Sequence, residues 1–463
     1  MEWRIVGGRC RYGHRGGDVV ETIYALSSGR GRTGIAVFRL SGPATRFVFE
    51  TMCGPLPLAR VQALRSIRNR SGLVLDRGLV SWFPGPQSFS GEDMAEFHVH
   101  GGRAVIAALE TAFASFGDVR AADAGEFTRR ALLNGKMDLT EVEGLGDLLA
   151  AETEAQRAQA LAQSGGALGR LYDDWRTRLV LARAMIEADL DFSEEEDVTG
   201  SVVDVAFAEI ATLIDAFGRH LADAHRGERL REGFQVVLLG APNAGKSSLL
   251  NALARRDVAI VSEIAGTTRD IVEAHLDLGG HAVTVVDTAG LREAEGAIEQ
   301  EGIRRALRRG ERADLVLWVV DPTARAKADA PVFDSIPIWK IESKGDLISG
   351  SGPEDSFDDP ELPVFRVSAV TGDGLDVLVR SIAGLVGTGN GDDGSVPPTR
   401  IRHRNGIVRA RASLERASAC RGAGLELVAE ELRSAADELG RLTGRIGVED
   451  YLDVIFGEFC IGK

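Results

Sequence analysis

The sequence predicts an α/β multidomain chain with three parts. These are an N-terminal α+β domain, a helical domain built from two chain segments, and an α/β phosphate-loop domain inserted between those segments. Three observations predict it. Residues 21–137 alternate short β-like runs with glycine turns and helical stretches. Residues 138–232 and 399–463 are rich in Ala, Leu, Glu and Arg with helical periodicity and few breakers. Between them, residues 233–386 alternate apolar strand-like runs with helical patterns and hold a glycine-rich loop at the end of the first run.

Taken in order, the first eighteen residues carry Arg4, Arg9, Arg11 and Arg15 with no apolar stretch behind them, which argues against a secretory signal. Residues 1–20 read as a disordered extension or a misplaced start. Strands are expected at Thr22–Leu26, Gly34–Arg39 and Met94–His100, and a helix at Ala104–Phe116. Neither helical block buries all its apolar faces alone, so the two are expected to pack together. Residues 387–398, Gly-Thr-Gly-Asn-Gly-Asp-Asp-Gly-Ser-Val-Pro-Pro, have the composition of a flexible linker.

At 463 residues the chain is too long for one core. Its 44% hydrophobic content supports several. The formal net charge of −15 excludes indiscriminate nucleic-acid binding and leaves only local basic patches, the Arg304/Arg305/Arg308/Arg309 and Arg400/Arg402/Arg404/Arg409/Arg411 clusters, to meet RNA phosphates. Most such runs are solvated helix faces. Cys10, Cys53, Cys420 and Cys460 show no metal-ligand spacing and read as reduced thiols of a cytoplasmic protein. No apolar stretch reaches membrane-spanning length.

The chemistry is concentrated in four segments. Gly240-Ala241-Pro242-Asn243-Ala244-Gly245-Lys246-Ser247 is a complete GxxxxGKS phosphate loop between the strand Val236–Leu239 and a helical run from Ser248. Its backbone amides turn inward around a phosphate, Lys246 reaches the β/γ oxygens, and the Ser247 hydroxyl takes a place on Mg²⁺. Both flanks argue against a chance glycine turn. Asp287-Thr288-Ala289-Gly290 places an aspartate near Mg²⁺ and a glycine amide near the γ-phosphate. Ser343-Lys344-Gly345-Asp346 is a variant of the NKxD base-reading loop: Asp346 accepts from N1–H and the exocyclic amine of guanine, and the Lys344 stem packs on the ring. In Ser368-Ala369 a backbone amide is placed to reach the guanine O6. Four such segments in order, each ending a predicted strand, point to a Ras-like P-loop domain that binds GTP. Ser343 stands where Asn is usual. It is shorter and makes fewer hydrogen bonds, so lower base affinity is expected with guanine selectivity kept on Asp346.

Over residues 21–463 the chain resembles the tRNA-modification GTPases of the TrmE/MnmE family. The resemblance rests on Gly29-Arg30-Gly31, Gly34-Ile35, Arg39-Leu40-Ser41-Gly42, Ser90-Gly91-Glu92-Asp93, His100-Gly101-Gly102, Gly125-Glu126-Phe127-Thr128 and Asn134-Gly135-Lys136-Met137-Asp138-Leu139. It continues through Asp189-Leu190-Asp191-Phe192, Leu230-Arg231-Glu232-Gly233 and Ala265-Gly266-Thr267-Thr268-Arg269-Asp270 to the ending Phe459-Cys460-Ile461-Gly462-Lys463.

The resemblance implies a homodimeric, potassium-dependent GTPase that joins a flavin-containing partner of the MnmG/GidA type, as a heterotetramer. FAD enters only through that partner. Together they place an aminomethyl or carboxymethylaminomethyl group on carbon 5 of the wobble uridine of certain tRNAs. The one-carbon donor is a tetrahydrofolate derivative, in its 5,10-methylene or 5-formyl form. In the family the N-terminal domain binds folate and dimerises; the matching contacts are Arg39, Glu96 and Lys136, with Lys463 of the tail. Without the resemblance, surface ion pairing is the simpler account of the first three. His98 and His100 alternate on one strand, and two histidines without a third ligand are more often structural than metal-binding.

For the GTP site the resemblance adds Ser248 and the segment Ser262, Glu263, Ile264, Ala265, Gly266, Thr267 and Thr268. Thr268 completes the Mg²⁺ shell with Ser247. Asn243 and the backbone of Ser262, Ile264 and Thr267 match the family's potassium cage, whose cation stands in for an arginine finger. Leu291 follows the DxxG segment where Ras-like switches carry a Gln, and Glu299 matches the family's water-orienting carboxylate. Among Glu293, Glu295, Glu299 and Glu301 the residues alone do not choose. Cys460 is expected to be needed for modification, although apolar docking of the tail is the plainer reading of Phe459, Cys460 and Ile461. A regulatory GTPase switch of the ribosome-assembly type is the alternative function; it lacks the N-terminal domain and the Cys-Ile-Gly-Lys ending.

Overall fold

The structure is a computed structural model. It describes the chain except residues 1, 7–8, 14–20, 30–32, 192–200, 257–272, 288–312, 324–331, 334–335, 348–361, 388–395, 423, 448–451, 453–454, 458, 460–461 and 463, and describes 2–6, 9–13 and 201 by backbone alone. The chain falls into two compact units: residues 1–146, 163–210 and 413–463 form one, and 147–162 with 211–412 the other.

Within the segment expected to be a disordered extension, β1 (Glu2–Val6) and β2 (Arg9–Gly13) pair as an antiparallel hairpin. Gly7-Gly8 between them has the composition of a two-residue hairpin turn.

The first unit is built on a six-stranded sheet of order β5-β6-β7-β4-β3-β8, from β3 (Thr22–Leu26), β4 (Ile35–Ser41), β5 (Ala63–Arg68), β6 (Val74–Phe83), β7 (Met94–His100) and β8 (Val119–Ala121). All its pairings are antiparallel except β3 with β8. Strand alternation decides the faces. Phe38, Leu40 and Phe97 are fully buried with Phe49 of α1 (Thr45–Cys53) and Phe113 of α2 (Arg103–Ala114). Arg39, Glu96 and His98 therefore lie on the opposite face, the one on which Ile23, Ala25 and Met94 pack with Phe127 of α3 (Glu126–Leu133).

The helices are α4 (Leu139–Ala150), α5 (Glu154–Ser164), α6 (Ala167–Asp191), α7 (Ser201–Ala222) and α8 (Ala224–Glu232), then α11 (Ile401–Ala419) and α12 (Leu425–Leu442) beyond the inserted domain. The two segments meet where α6 packs on α12, burying Tyr172, Leu179 and Ile186 of one and Val428, Leu432 and Leu439 of the other. This is the pairing their unfilled apolar stripes predict. Near the C-terminus Leu452, Phe456 and Phe459 are buried with Leu139 and Val142 of α4.

In the second unit the sheet runs β10-β11-β9-β12-β13-β14, from β9 (Phe234–Leu239), β10 (Glu273–Leu278), β11 (His281–Asp287), β12 (Leu315–Val320), β13 (Ile338–Glu342) and β14 (Val364–Arg366). Every pairing is parallel except β10 with β11. The central β9 and β12 are almost continuously apolar because both faces are covered. α9 (Lys246–Ala254) and α10 (Leu375–Gly387) supply Leu249, Leu253, Leu378 and Ile382 to one covering layer.

Candidate functional site

The phosphate loop leaves the C-terminal end of β9 and caps α9. Its shape depends on three positive-φ residues, Gly240 at 153°, Asn243 at 61° and Gly245 at 96°. At Gly240 a side chain is also excluded by contact, since a Cβ would sit 2.2 Å from the Val319 carbonyl of β12. Lys246, buried to 5% exposure, donates to the Gly240 and Ala241 carbonyls at 2.8 Å each, which holds the ammonium inside the loop. The Ser247 hydroxyl donates to Asp287 Oδ2 at the end of β11. Hydroxyl and carboxylate are oxygen donors of the kind a Mg²⁺ ion beside phosphates takes. The first two motifs are thereby brought together.

The segments expected to read the base lie at the ends of β13 and β14. Ser343 Oγ donates to the Ala244 carbonyl at 2.6 Å, so the serine that replaces the usual Asn still braces the phosphate loop. Lys344 holds a left-handed backbone at φ 54°, and its ammonium is 2.5 Å from Asp321 at the end of β12. That contact, with help from the Thr323 hydroxyl, draws the Asp321 carboxyl down to about 2. Asp346 Oδ1 accepts from the Ser368 hydroxyl at 2.7 Å, which joins the third and fourth motifs and leaves the carboxylate further lone pairs for a base. Asp321 is the member of this group that motif reading missed. Its signal was a carboxylate directly after a parallel strand, the usual ligand edge of such a sheet.

In the first unit, Arg39 on β4 lies directly opposite Glu96 on β7. Arg39 Nε donates to Glu96 Oε1 at 2.8 Å, and His98 Nε2 lies 3.3 Å from Oε2. The Arg39 guanidinium stands 6.0 Å from the ring centre of Phe89, a partly exposed aromatic. Lys136 Nζ donates to the Pro86 carbonyl at 2.9 Å on the same loop, residues 84–93. The three expected folate contacts are thus gathered around one loop, which itself adds Phe89. The chain end reaches this region: Ser27 Oγ donates to the Gly462 carbonyl at 3.0 Å, and a Cβ on Gly462 would lie 2.8 Å from the Leu26 carbonyl. Ala25 beside them is the β-sheet partner of Arg39.

Comparison with known proteins decides the family. Residues 22–136 match the family model described as the GTP-binding protein TrmE N-terminus, and residues 139–460 that of the MnmE helical domain. The tRNA modification GTPase MnmE of Mesorhizobium japonicum is 51% identical over 443 residues, 96% of this chain and 99% of that protein. This chain belongs to the MnmE family of tRNA-modification GTPases. The Parvibaculum lavamentivorans relative of the same name is 51% identical over 448 residues, 96% of this chain and all of that one. Among solved structures, the G domain of the T. maritima FeoB iron transporter is 23% identical, covering 33% of this chain and 98% of that one at a TM-score of 0.24, too low to add to the fold.

Several residues that the motifs and the MnmE resemblance single out lie outside the described residues: Ser262 to Thr268, Thr288, Ala289, Gly290, Glu299, Cys460, Ile461 and Lys463. The same holds for Arg304, Arg305, Arg308 and Arg309. In the second basic cluster Arg400 and Arg404 are engaged by Asp147 and Glu228, so these two serve internal ion pairs. No helix among the described residues is long and apolar enough to cross a membrane.

Proposed function

We propose that this chain is a potassium-dependent GTPase that works with a flavin-containing MnmG-type partner on tRNA. The pair adds an aminomethyl or carboxymethylaminomethyl group to carbon 5 of the wobble uridine. The observation that carries the reading is the convergence of four guanine-nucleotide segments on one sheet edge, in a chain whose N-terminal and helical parts both match the MnmE family.

Arg39, Glu96 and Lys136 bind a tetrahydrofolate one-carbon donor: the cations meet its carboxylates or ring oxygen, and Glu96 keeps lone pairs free for ring N–H donors. Lys463 and Cys460 act from the tail beside β3, which the Ser27–Gly462 hydrogen bond supports. The protein works as a cytoplasmic homodimer, with domain limits near residues 137, 232, 386 and 398.

In the GTP site, Ser247 and Thr268 hold Mg²⁺, and Asn243 with the backbone of Ser262, Ile264 and Thr267 holds K⁺. The monovalent ion supplies positive charge where negative charge grows in the transition state. Glu299 orients the attacking water. Replacing K⁺ by Na⁺ is therefore expected to lower the hydrolysis rate about tenfold or more, while the Kd for GTP changes by less than about twofold, because the charge acts in the transition state. Equal rates in the two salts overturn the cage.

A further inference from the structure

We propose that Asp147 is the hinge clamp through which the inserted domain passes its nucleotide state to the helices. The inference rests on the GTP-binding reading above. Where the chain runs into the inserted domain, Arg231 Nε donates to Asp147 Oδ1 at 3.0 Å. Where it returns, Arg400 Nη2 donates to the same oxygen at 2.8 Å. One carboxylate near the end of α4 thus ties both strands of the connection, from partners 84 and 253 residues away. All three side chains are mostly buried, at 16% exposure for Asp147 and Arg400 and 24% for Arg231.

Other contacts converge on the same joint. Gly227 of α8 is pressed so closely to the returning chain that a Cβ would lie 2.1 Å from the Pro398 carbonyl. Gln156 of α5 donates to the Arg231 carbonyl at 3.1 Å, and the Ala155 amide donates to the Gly280 carbonyl in the β10–β11 turn at 3.2 Å. Arg229 of α8 pairs with Asp314 at 2.6 Å, and Asp314 also takes the Gln235 amide at 2.9 Å. The beginnings of β9 and β12 are thereby fastened to α8, and those two strands end at the phosphate loop and at Asp321.

The joint is fastened by these polar contacts at the edge of the apolar core that holds Phe234. An open cleft of about 100 Å³ lies close by, lined by Thr153, Ala155, Leu230, Phe234, His281 and Val386 among others. Partly buried ion pairs add little net stability but fix geometry. Elements that move are drawn from regions with few buried apolar contacts. A single carboxylate that ties both strands of the connection fits a joint with two arrangements, and hinges are a few terminal residues of elements that absorb such a change.

The test is hydrogen–deuterium exchange on the full-length protein with Mg²⁺ and K⁺, comparing GDP with GDP plus aluminium fluoride. Peptides spanning 147–164 and 224–235 are expected to change their exchange rates about fivefold or more between the two states, the low end of ordinary coupling. Asp147→Asn is expected to abolish that difference while leaving the Kd for GTP and the cooperative melting unchanged. Arg400→Lys, which keeps the charge and loses the planar geometry, gives the same loss and stands in if Asp147→Asn fails to fold. A nucleotide-independent pattern in the unaltered protein, or a difference that survives in the substituted one, overturns the clamp. Failure of GTP to bind at all would instead strike at the GTPase reading.

Discussion

At the scale of single residues, the carboxylate proposed to read guanine has a fixed contact of its own. Asp346 is held by the Ser368 hydroxyl, and Lys344 by Asp321. Asp346→Asn replaces an acceptor-only group with one that also donates. The Kd for GTP is expected to rise about 100-fold or more and that for xanthosine triphosphate to fall, as measured by titration, because a site built to hydrogen-bond a base rejects one that leaves its polar groups unpaired. Unchanged GTP affinity would show that another group reads the base. Much of this was legible in the sequence, since a phosphate loop declares its backbone through the spacing of Gly240, Gly245 and Lys246. The brace from Ser343 to the Ala244 carbonyl was not, for its partner lies 99 residues away and a serine carries no signal of which carbonyl it will find. Phe89 was hidden for a similar reason: one phenylalanine in a polar loop has no periodicity to mark it.

At the scale of elements, the motifs around Arg39 and Glu96 form a single network. Ser41 of β4 donates to Glu92 Oε2 at 2.7 Å and shares a 2.6 Å hydrogen bond with Ser90. Arg130 of α3 bridges Glu92 at 3.0 Å and Glu126 at 2.9 Å. Arg120 of β8 completes the chain with a two-pronged grip on Glu126, at 2.7 and 2.8 Å. The loop that carries Phe89 and the Pro86 carbonyl is thereby anchored to β4, α3 and β8 together. Sequence reading located the separate motifs but not their junction, because their contacts cross 38 to 51 positions of chain. Burial would raise the Glu126 carboxyl, but hydrogen bonds from Arg120, the Asp123 amide and Arg130 outweigh it and hold the group below its ordinary value. A depressed carboxylate stabilises the fold above its unfolded pKa, about 4.3, and loses that contribution as pH falls through the folded value. Glu126→Ala is expected to cost about 2 kcal/mol at pH 7 by denaturant titration, less than a fully buried pair because both partners keep some exposure. The gap between variant and parent should narrow below about pH 4. A gap independent of pH would mean that the ion pairs contribute nothing and that Glu126 only fills space.

At the scale of the whole molecule, the two-segment helical domain follows from apolar stripes on α6 and α12 that neither can bury alone. That pairing and the inserted α/β domain were readable as patterns of periodicity and composition, whereas of the tail's docking through Phe456 and Phe459 only Phe459 stood out. The joint at Asp147 was not, because an aspartate in a helix of mixed charge looks like any solvated residue until Arg231 and Arg400 arrive from distant parts of the chain. The same architecture brings Gly462 to Ser27, just after β3 and two positions from Ala25, the residue opposite Arg39, and the proposed role of the tail in modification rests on this contact. Mass spectrometry of tRNA nucleosides tests that account most directly. Cells lacking the protein should lose the C5-substituted wobble uridines, the unaltered protein should restore them, and Cys460→Ser should not, although its GTP hydrolysis in K⁺ stays intact. Unchanged wobble uridines in the deletion strain would contradict the assignment of this GTPase to tRNA modification.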